Sequence, residues 1–324
     1  MRTIEGLQAW GRVLMGKLPT LSIEITKECP LRCPGCYAYE DSHLGGDVKL
    51  RELTDLRGQA LVEGVLALAR HYQPLHLSIV GGDPLVRFRE VDTLLPQLNR
   101  MGIFVQLVTS AFRPIPTDWA KLSKLNLVVS IDGLQPEHDR RRAPATYDRI
   151  LKNISGHCVI IHCTVTGQMM KAKGYLEAFL NFWCPRPEIK KVWVSFFTPQ
   201  KGDYSPECLT TEERDQAVLD LRSLRHRFPK LDMAESTLRE FMAPPSSPKE
   251  CLFSRTTLNI SADLKTTVSP CQLGGDPDCS RCGCLASMAL AAVGHHRLPG
   301  GVSLGGLYRA SVQVGNVVSK LQGH

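Results

Sequence analysis

The sequence lacks any run of about 18 uncharged apolar residues, so no segment has the composition of a transmembrane helix. It also lacks the apolar stretch of a signal peptide, because Arg2, Glu5 and Arg12 interrupt its first residues. We therefore expect a cytoplasmic protein. Aromatic residues make up only 6% and do not alternate with basic residues, which gives little support to nucleic-acid binding by base stacking. The 39 Lys and Arg residues are spread along the chain, so the net charge of +7 identifies no partner.

Cysteine, by contrast, is abundant. The chain has 12 cysteines and no export signal, which favours metal ligands or catalytic groups over disulfides. Most of them fall in two widely separated groups, the first consisting of Cys29, Cys33 and Cys36 and the second of Cys251, Cys271, Cys279, Cys282 and Cys284. Two groups predict two sites.

Short β-branched runs alternate with helical stretches from residue 21 onward, and this alternation is typical of βα units that form a parallel sheet. Thr54–Tyr72, for example, repeats apolar residues at helical spacing. Right-handed crossovers would wind the strands into a barrel or part of one, with its chemistry at the C-terminal ends of the strands. The six predicted strands are Leu21–Ile25, Leu75–Val80, Ile103–Val108, Leu125–Ile131, Cys158–Val165 and Lys191–Phe197.

Composition also predicts the domain boundaries. Residues 1–17 read as an amphipathic helix, residues 18–242 as the core and the Pro-rich residues 243–250 as a linker. Residues 251–324 then form a cysteine-rich tail, in which Thr256–Val268 has a strand-turn-strand pattern.

The first cysteine group has the spacing C-x3-C-x2-C directly after the first predicted strand. Three thiolates on one loop can hold three irons of a four-iron cluster and leave the fourth open to an exogenous ligand. A zinc knuckle is the alternative, but such sites usually have four ligands in two pairs. We favour an iron-sulfur cluster.

This loop and its context resemble the radical SAM superfamily over about residues 18–230. After the second strand, Gly81-Gly82-Asp83-Pro84 is similar to the family's Gly-Gly-Glu-Pro motif, with Asp83 where Glu is usual. After the fourth, Ser130-Ile131-Asp132-Gly133 followed by His138-Asp139 resembles a pattern of peptide-modifying members. The resemblance implies an α/β fold, a partial (β/α)6 TIM-like barrel with a small cysteine-rich C-terminal extension.

The resemblance also implies a reaction. Cys29, Cys33 and Cys36 would bind a [4Fe-4S] cluster, at which S-adenosylmethionine (SAM) is cleaved reductively to a 5′-deoxyadenosyl radical that abstracts hydrogen from a substrate. The electron would come from a reductant such as ferredoxin or flavodoxin. No catalytic residue beyond the cluster ligands is assigned. The SAM contacts would be Gly81, Gly82, Asp83, Pro84, Ser110, Ser130 and Asp132.

The second cysteine group brackets the predicted strand-turn-strand, whose ends lie side by side, so its members should converge. It resembles the SPASM or twitch extension, which carries auxiliary iron-sulfur clusters. Five cysteines exceed the four ligands of one cluster and fall short of two sets. We predict one auxiliary [4Fe-4S] cluster with one cysteine to spare, and a structural zinc site as the alternative.

The substrate is less well defined. The SPASM-like tail favours a peptide or protein side chain. The amphipathic N-terminal helix and the apolar segments Leu285–Val293 and Gly301–Val318 would also suit a lipid or isoprenoid, with peripheral contact to a membrane. A non-catalytic iron-sulfur or zinc-binding scaffold would not need the motifs after the second and fourth strands. The basic run Arg140–Arg142 is either a solvated face or a site for an acidic substrate.

Overall fold

The computed structural model describes residues 10–15, 17–39, 42–44, 48–298 and 300–321, with side chains up to residue 315. Within the predicted N-terminal helix, residues 10–14 are helical, whereas Ile4 and Leu7 lie outside the described residues. None of the described helices is both long enough and apolar enough to span a membrane.

The core of the fold is a seven-stranded sheet in the order β6-β5-β4-β3-β2-β1-β7. Every neighbouring pair is parallel, so the C-terminal ends of all strands lie at one edge. The predicted α/β class, unclosed barrel and six strands are confirmed. The strands are β1 Thr20–Glu24, β2 His76–Val80, β3 Phe104–Thr109, β4 Leu125–Ser130, β5 Val159–Val165, β6 Ile189–Phe196 and β7 Thr257–Ile260.

Helices connect the strands and cover the outside of the sheet. The helix α1 buries Leu61, Val65 and Ala69, which recur at helical spacing, against the strands. The helix α7 begins at a capping box in which the Thr210 hydroxyl accepts from the Glu213 amide. The helices are α1 Gly58–Tyr72, α2 Phe88–Arg100, α3 Gln135–Arg142, α4 Tyr147–Asn153, α5 Gly167–Met170, α6 Tyr175–Trp183, α7 Thr211–Leu224, α8 Glu235–Glu240, α9 Leu252–Thr256, α10 Leu285–His295 and α11 Leu304–Leu321.

The seventh strand differs from the sequence expectation. Thr256–Val268 was expected to pair with itself, but its one regular strand, β7, pairs in parallel with β1. The return of the chain adds a single bridge between Ile260 and Thr267. The tail beyond the predicted linker therefore contributes a strand to the barrel sheet.

Candidate active site

One cavity of about 2820 Å³, including the part open to solvent, occupies the inside of the barrel. The strands line it with alternate residues, for example Ser22 on β1, Ser78 on β2, Gln106 on β3 and His162 on β5. TIM barrels usually fill this space with branched apolar side chains. Here the inward-facing residues are mostly small and polar, which leaves room for ligands.

The C-terminal edge of the sheet brings almost all predicted site residues to one end of this cavity. Because the strands are parallel, the loops after β1, β2, β3 and β4 meet there. The cavity is lined by Cys29, Cys33, Cys36, Gly81, Gly82, Asp83, Ser110, Ser130 and Asp132. Pro84 is the exception, because it is buried at the start of a short 3-10 helix, Pro84–Arg87, and does not line the cavity.

The two glycines of the motif after β2 are required by the backbone next to them. The Gly82 amide donates to the Thr26 carbonyl at 2.7 Å, and the Asp83 amide donates to the Glu28 carbonyl at 2.9 Å. A Cβ on Gly82 would clash with the Glu28 carbonyl, and one on Gly81, whose φ is +119°, with the Thr26 carbonyl. The glycines therefore let the motif approach the start of the cysteine loop closely.

The Asp83 carboxylate joins the end of β2 to the end of β3. Its Oδ1 accepts from the Leu85 amide at 3.0 Å and the Thr109 hydroxyl at 2.7 Å. Its Oδ2 accepts from the amide of Ser110 at 2.8 Å and from the hydroxyl of the same residue. Asp83 and Ser110 hold each other in place, and their direct contact with SAM remains a prediction.

The cysteine loop curls tightly at the mouth of the cavity. The Cys36 amide donates to the Cys33 carbonyl at 3.2 Å. Burial raises the pKa of the Cys33 thiol, and it raises that of Cys36 to about 11. Gly35 has a φ of +66°, and a Cβ there would lie 2.6 Å from the ring of Phe197. The loop therefore packs directly against an aromatic side chain that also lines the cavity.

Two arginines of the basic run belong to the site. Arg140 is exposed, as a solvated face predicts, but Arg141 and Arg142 are largely buried and line the cavity. Arg142 donates to Asp132 at 2.7 Å and Arg141 donates to it at 3.4 Å. Burial opposes ionisation of Asp132, yet these two guanidinium groups hold the pKa of its carboxyl at about 2.

Arg141 also connects the cysteine loop to Glu207, a residue that the sequence analysis did not identify. It donates to the Pro34 carbonyl at 2.8 Å and pairs with the buried Glu207 at 2.6 Å. Positive charge from Arg142 and Arg141 opposes the rise in the pKa of Cys33. Two cations thus lie beside the thiols.

The five cysteines of the tail surround a second, smaller recess of about 410 Å³. Burial, followed by the charges of neighbouring thiols, raises the pKa of Cys271 to about 12 and that of Cys279 to about 11. The predicted convergence therefore occurs, and of the expected strand-turn-strand the structure has β7, the turn and a single antiparallel bridge back to β7. The recess is lined by Cys251, Cys271, Cys279, Cys282 and Cys284.

A buried arginine accompanies this recess. Arg214 donates to the carbonyls of Phe241 and Cys282, both at 3.0 Å, and to that of Arg281. It forms no ion pair with a carboxylate in the part of the chain that the structure describes. A buried guanidinium without a counter-ion suits an anionic group, such as a thiolate-ligated cluster, in the recess.

Among the described residues no group of three or more His, Cys, Asp or Glu side chains is arranged to hold a single metal ion. In an iron-sulfur cluster each cysteine binds a different iron. The finding therefore concerns sites for a single metal ion only.

The two cysteine sites adjoin each other. Cys284 lines both the recess and the cavity. Tyr37, which follows the cysteine loop directly, has its pKa raised by burial, then by charges on Cys36, Glu24, Cys284 and Cys271. The Glu24 carboxylate accepts from the Ser261 hydroxyl at 2.7 Å and pairs with His43. These contacts join the barrel to the cysteine-rich tail.

Residues 23–156 match the family model of the Radical SAM superfamily. This chain therefore contains a radical SAM domain. It is 21% identical to the Probable GTP 3′,8-cyclase of Methanocella arvoryzae over 282 residues, which cover 83% of this chain and 85% of that protein.

Solved structures support the same radical SAM fold. Streptococcus suis SuiB bound to precursor peptide SuiA superposes with a TM-score of 0.56 and 17% identity over 80% of this chain. The chain spans 61% of the length of SuiB. Native anSMEcpe with bound AdoMet superposes with a TM-score of 0.57 and 13% identity, covering 78% of this chain and 75% of that one.

Radical SAM enzymes use a [4Fe-4S] cluster and SAM. The cysteine loop fits such a cluster, because its three thiols share one wall of a cavity with two buried cations.

The four remaining cysteines line neither the cavity nor the recess. Cys163 on β5 is buried, and because its neighbours on the strand face the cavity, its side chain points out of the barrel. Cys158 is exposed, Cys184 is buried, and Cys208 donates to the Asp203 carbonyl at 3.5 Å.

Proposed function

We propose that this enzyme cleaves SAM at the cysteine loop and uses the resulting radical to abstract hydrogen from a peptide or protein side chain. The proposed cleavage of SAM rests on one observation: the three thiols and the motifs after β2, β3 and β4 line one end of the same cavity. The rest of that cavity has room for a substrate group beside bound SAM. A non-catalytic scaffold has no use for such a space.

The protein's residues have distinct tasks in this proposal. When bound, the cluster and SAM supply one-electron cleavage of SAM to methionine and a 5′-deoxyadenosyl radical. Cys29, Cys33 and Cys36 hold three irons and leave one for SAM. Arg141 and Arg142 offset the negative charge of the thiolate-ligated cluster and fix the loop through Pro34 and Asp132. The barrel wall excludes water and orients the substrate.

For the tail we propose an auxiliary [4Fe-4S] cluster held by Cys251, Cys271, Cys279 and Cys282. Charge on Cys282, Cys251 and Cys279 contributes to the raised pKa of Cys271, which supports a mutually close set of four. Cys284 would be the spare cysteine, because it alone of the five also lines the large cavity. The uncompensated Arg214 beside Cys282 supports an anionic cluster.

A peptide substrate is supported by the neighbouring structures, since SuiB was crystallised with its precursor peptide and anSMEcpe with the Cp18Cys peptide. The anSMEcpe peptide complex superposes with a TM-score of 0.51 and 12% identity. The cavity also opens to solvent, so a side chain on a longer molecule could enter it.

Isotope transfer tests this proposal. The reconstituted enzyme is reduced anaerobically with SAM beside either a fully deuterated peptide digest or a fully deuterated lipid extract, and 5′-deoxyadenosine is examined by mass spectrometry. We expect 5′-deoxyadenosine in both mixtures and deuterium in it only from peptides. Deuterium from the lipid extract alone would replace the peptide by a lipid, and no 5′-deoxyadenosine from a reduced cluster would refute the reaction.

A further inference from the structure

The half of the cavity farthest from the cysteine loop has a wall of polar side chains without protein partners. The wall is built by the N-terminal halves of β7, β1, β2 and β3, which pair in register. Across the described part of the chain, none of its side chains forms a hydrogen bond with another protein group. The side chains that line this wall are Thr20, Ser22, His76, Ser78, Gln106 and Thr257.

Burial makes this lack of partners significant. Ser22 is 2% exposed, Thr257 5% and Ser78 8%. The hydroxyl of Thr257 is fully shielded and has no partner among the described residues. The same holds for the side-chain oxygen of Asn259, two residues further on the same face of β7. Since buried polar groups are nearly always hydrogen-bonded, the wall suits a partner from outside the chain.

The absence of an unpaired charge near the described wall residues indicates that their partner is uncharged. Arg141 and Arg142 lie at the opposite end, and the only carboxylate among the described lining residues of this half, Asp232, is already paired with Lys191 at 2.6 Å and with the Trp193 indole at 3.0 Å. Burial lowers the pKa of His76, which keeps its imidazole neutral. A charged group would lose hydration here without gaining a counter-ion.

Part of the cavity lining outside this wall is apolar. The helix α10 contributes Leu285, Ala286, Ala289 and Leu290 to it, and the helix is anchored where the Leu285 amide donates to the Ser195 hydroxyl on β6 at 3.1 Å. A guest would therefore contact hydrogen-bonding groups on the wall and hydrocarbon outside it. That contrast favours a short polar group on an otherwise uncharged side chain.

We propose that this wall recognises a neutral amide- or hydroxyl-bearing side chain of the peptide substrate. This inference rests on the proposed peptide function. Serine, threonine and glutamine side chains offer both donors and acceptors, so they can match either end of a primary amide. Both an apolar and an ionised side chain of equal size would bind less well.

Three capped amino acids of nearly equal size test the inference: N-acetylasparagine amide, N-acetylaspartate amide and N-acetylleucine amide. Each is titrated anaerobically into the holoenzyme with SAM bound, and heat of binding is measured. We expect the asparagine probe to bind at least about tenfold more tightly than either of the others, because each unmatched buried polar group weakens binding. Binding of the aspartate or leucine probe with equal strength would overturn the inference, as would no binding of the asparagine probe at millimolar concentration.

A pair of serine variants separates recognition from structure. Ser78→Ala removes a hydroxyl of the wall that has no protein partner among the described residues, whereas Ser261→Ala removes a buried hydroxyl that donates to the Glu24 carboxylate at 2.7 Å. We expect Ser78→Ala to weaken binding of the asparagine probe about fivefold while leaving the melting temperature of the ligand-free protein unchanged or higher. Ser261→Ala should lower the melting temperature and leave binding unchanged.

The opposite pattern, in which Ser78→Ala lowers stability and not affinity, would assign Ser78 a structural role and overturn the inference. Because these readouts are binding and melting, they are independent of 5′-deoxyadenosine formation, on which the proposed reaction depends.

Discussion

The two cysteine sites differ in the number of thiols that they offer and in the volume of the space beside those thiols. The cysteine loop offers three thiols at one end of a cavity of about 2820 Å³, whereas the tail has five thiols around a recess of about 410 Å³. Three ligands beside open space leave a cluster able to bind a further molecule. A surplus of ligands in a small recess leaves it saturated. In our proposal the same residue type therefore serves a reactive site at the cysteine loop and a closed site in the tail.

The two cysteine sites also differ in the partners of their arginines. At the cysteine loop, Arg141 and Arg142 are already paired with Asp132 and Glu207, so that part of the site is organised before any cofactor binds. At the tail, Arg214 has only carbonyl partners among the described groups. We infer that the first site is largely preformed and that the second depends more on its cluster.

The largest expected effect is that of Cys33→Ala. Without this ligand the cluster of the cysteine loop should not assemble, so 5′-deoxyadenosine formation should fall to that of cluster-free protein and iron by about four per chain. Cys184→Ala, which alters a buried thiol that lines neither the cavity nor the recess, should change neither quantity. Iron analysis and chromatography of the reaction products provide the measurement. If Cys33→Ala still cleaved SAM, the assignment of the cysteine loop as the reactive site would be wrong.

A glycine variant tests whether the first site depends on its backbone. In Gly82→Ala the new Cβ would clash with the Glu28 carbonyl, displace the cysteine loop and destabilise the fold by about 1–3 kcal/mol. We expect the iron of the first site to be lost preferentially, with that of the tail retained. Gly11→Ala, at a position with no atom within 4 Å, is the control. Full iron content in Gly82→Ala would show that the close approach is dispensable.

The preformed charges of the first site predict a pH dependence. Asp132→Asn leaves the buried Arg142 guanidinium without its carboxylate, while Arg141 keeps Glu207, and it should destabilise the protein by about 3–5 kcal/mol at neutral pH. The folded-state pKa of Asp132, about 2, lies below its ordinary value of 3.8. Its contribution is therefore complete above that ordinary value and is lost as the pH falls toward 2. Urea unfolding at several pH values should show the difference from wild type shrinking over that range, and a constant difference would contradict the assignment.

The smallest effect on SAM cleavage is expected from the tail. Cys279→Ala should remove about four irons per chain, yet 5′-deoxyadenosine formation without substrate should remain close to that of wild type. Cys208→Ala is the matched control, since that half-buried thiol lies outside both sites. If Cys279→Ala abolished SAM cleavage, SAM cleavage would depend on the tail as well as on the cysteine loop, which contradicts the separate roles proposed for the two sites.

The six barrel strands could be predicted from the sequence because each is a run rich in β-branched residues that can be recognised without knowledge of its partners. It did not predict β7, since Thr257–Ile260 is short and its partner β1 is distant in the chain. Composition also could not tell which charges of the basic run would be buried. Arg141 and Arg142 differ from Arg140 only through tertiary contacts with Asp132 and Glu207.

The apolar helix α10 shows a different limit. Its composition suited a lipid substrate or a membrane surface, but Leu285 and Ala289 line the cavity. Only Val293, near its end, is a large exposed apolar side chain. Periodicity cannot distinguish an apolar face that covers a cavity from one that meets lipid.

Electron paramagnetic resonance of the dithionite-reduced protein, with and without SAM, tests the central claim most directly. Wild type should show the signals of two clusters, of which SAM changes one. In Cys33→Ala the SAM-sensitive signal should be absent, and in Cys279→Ala it should remain. A signal that survives in Cys33→Ala and still responds to SAM would contradict the assignment of the cysteine loop as the reactive site.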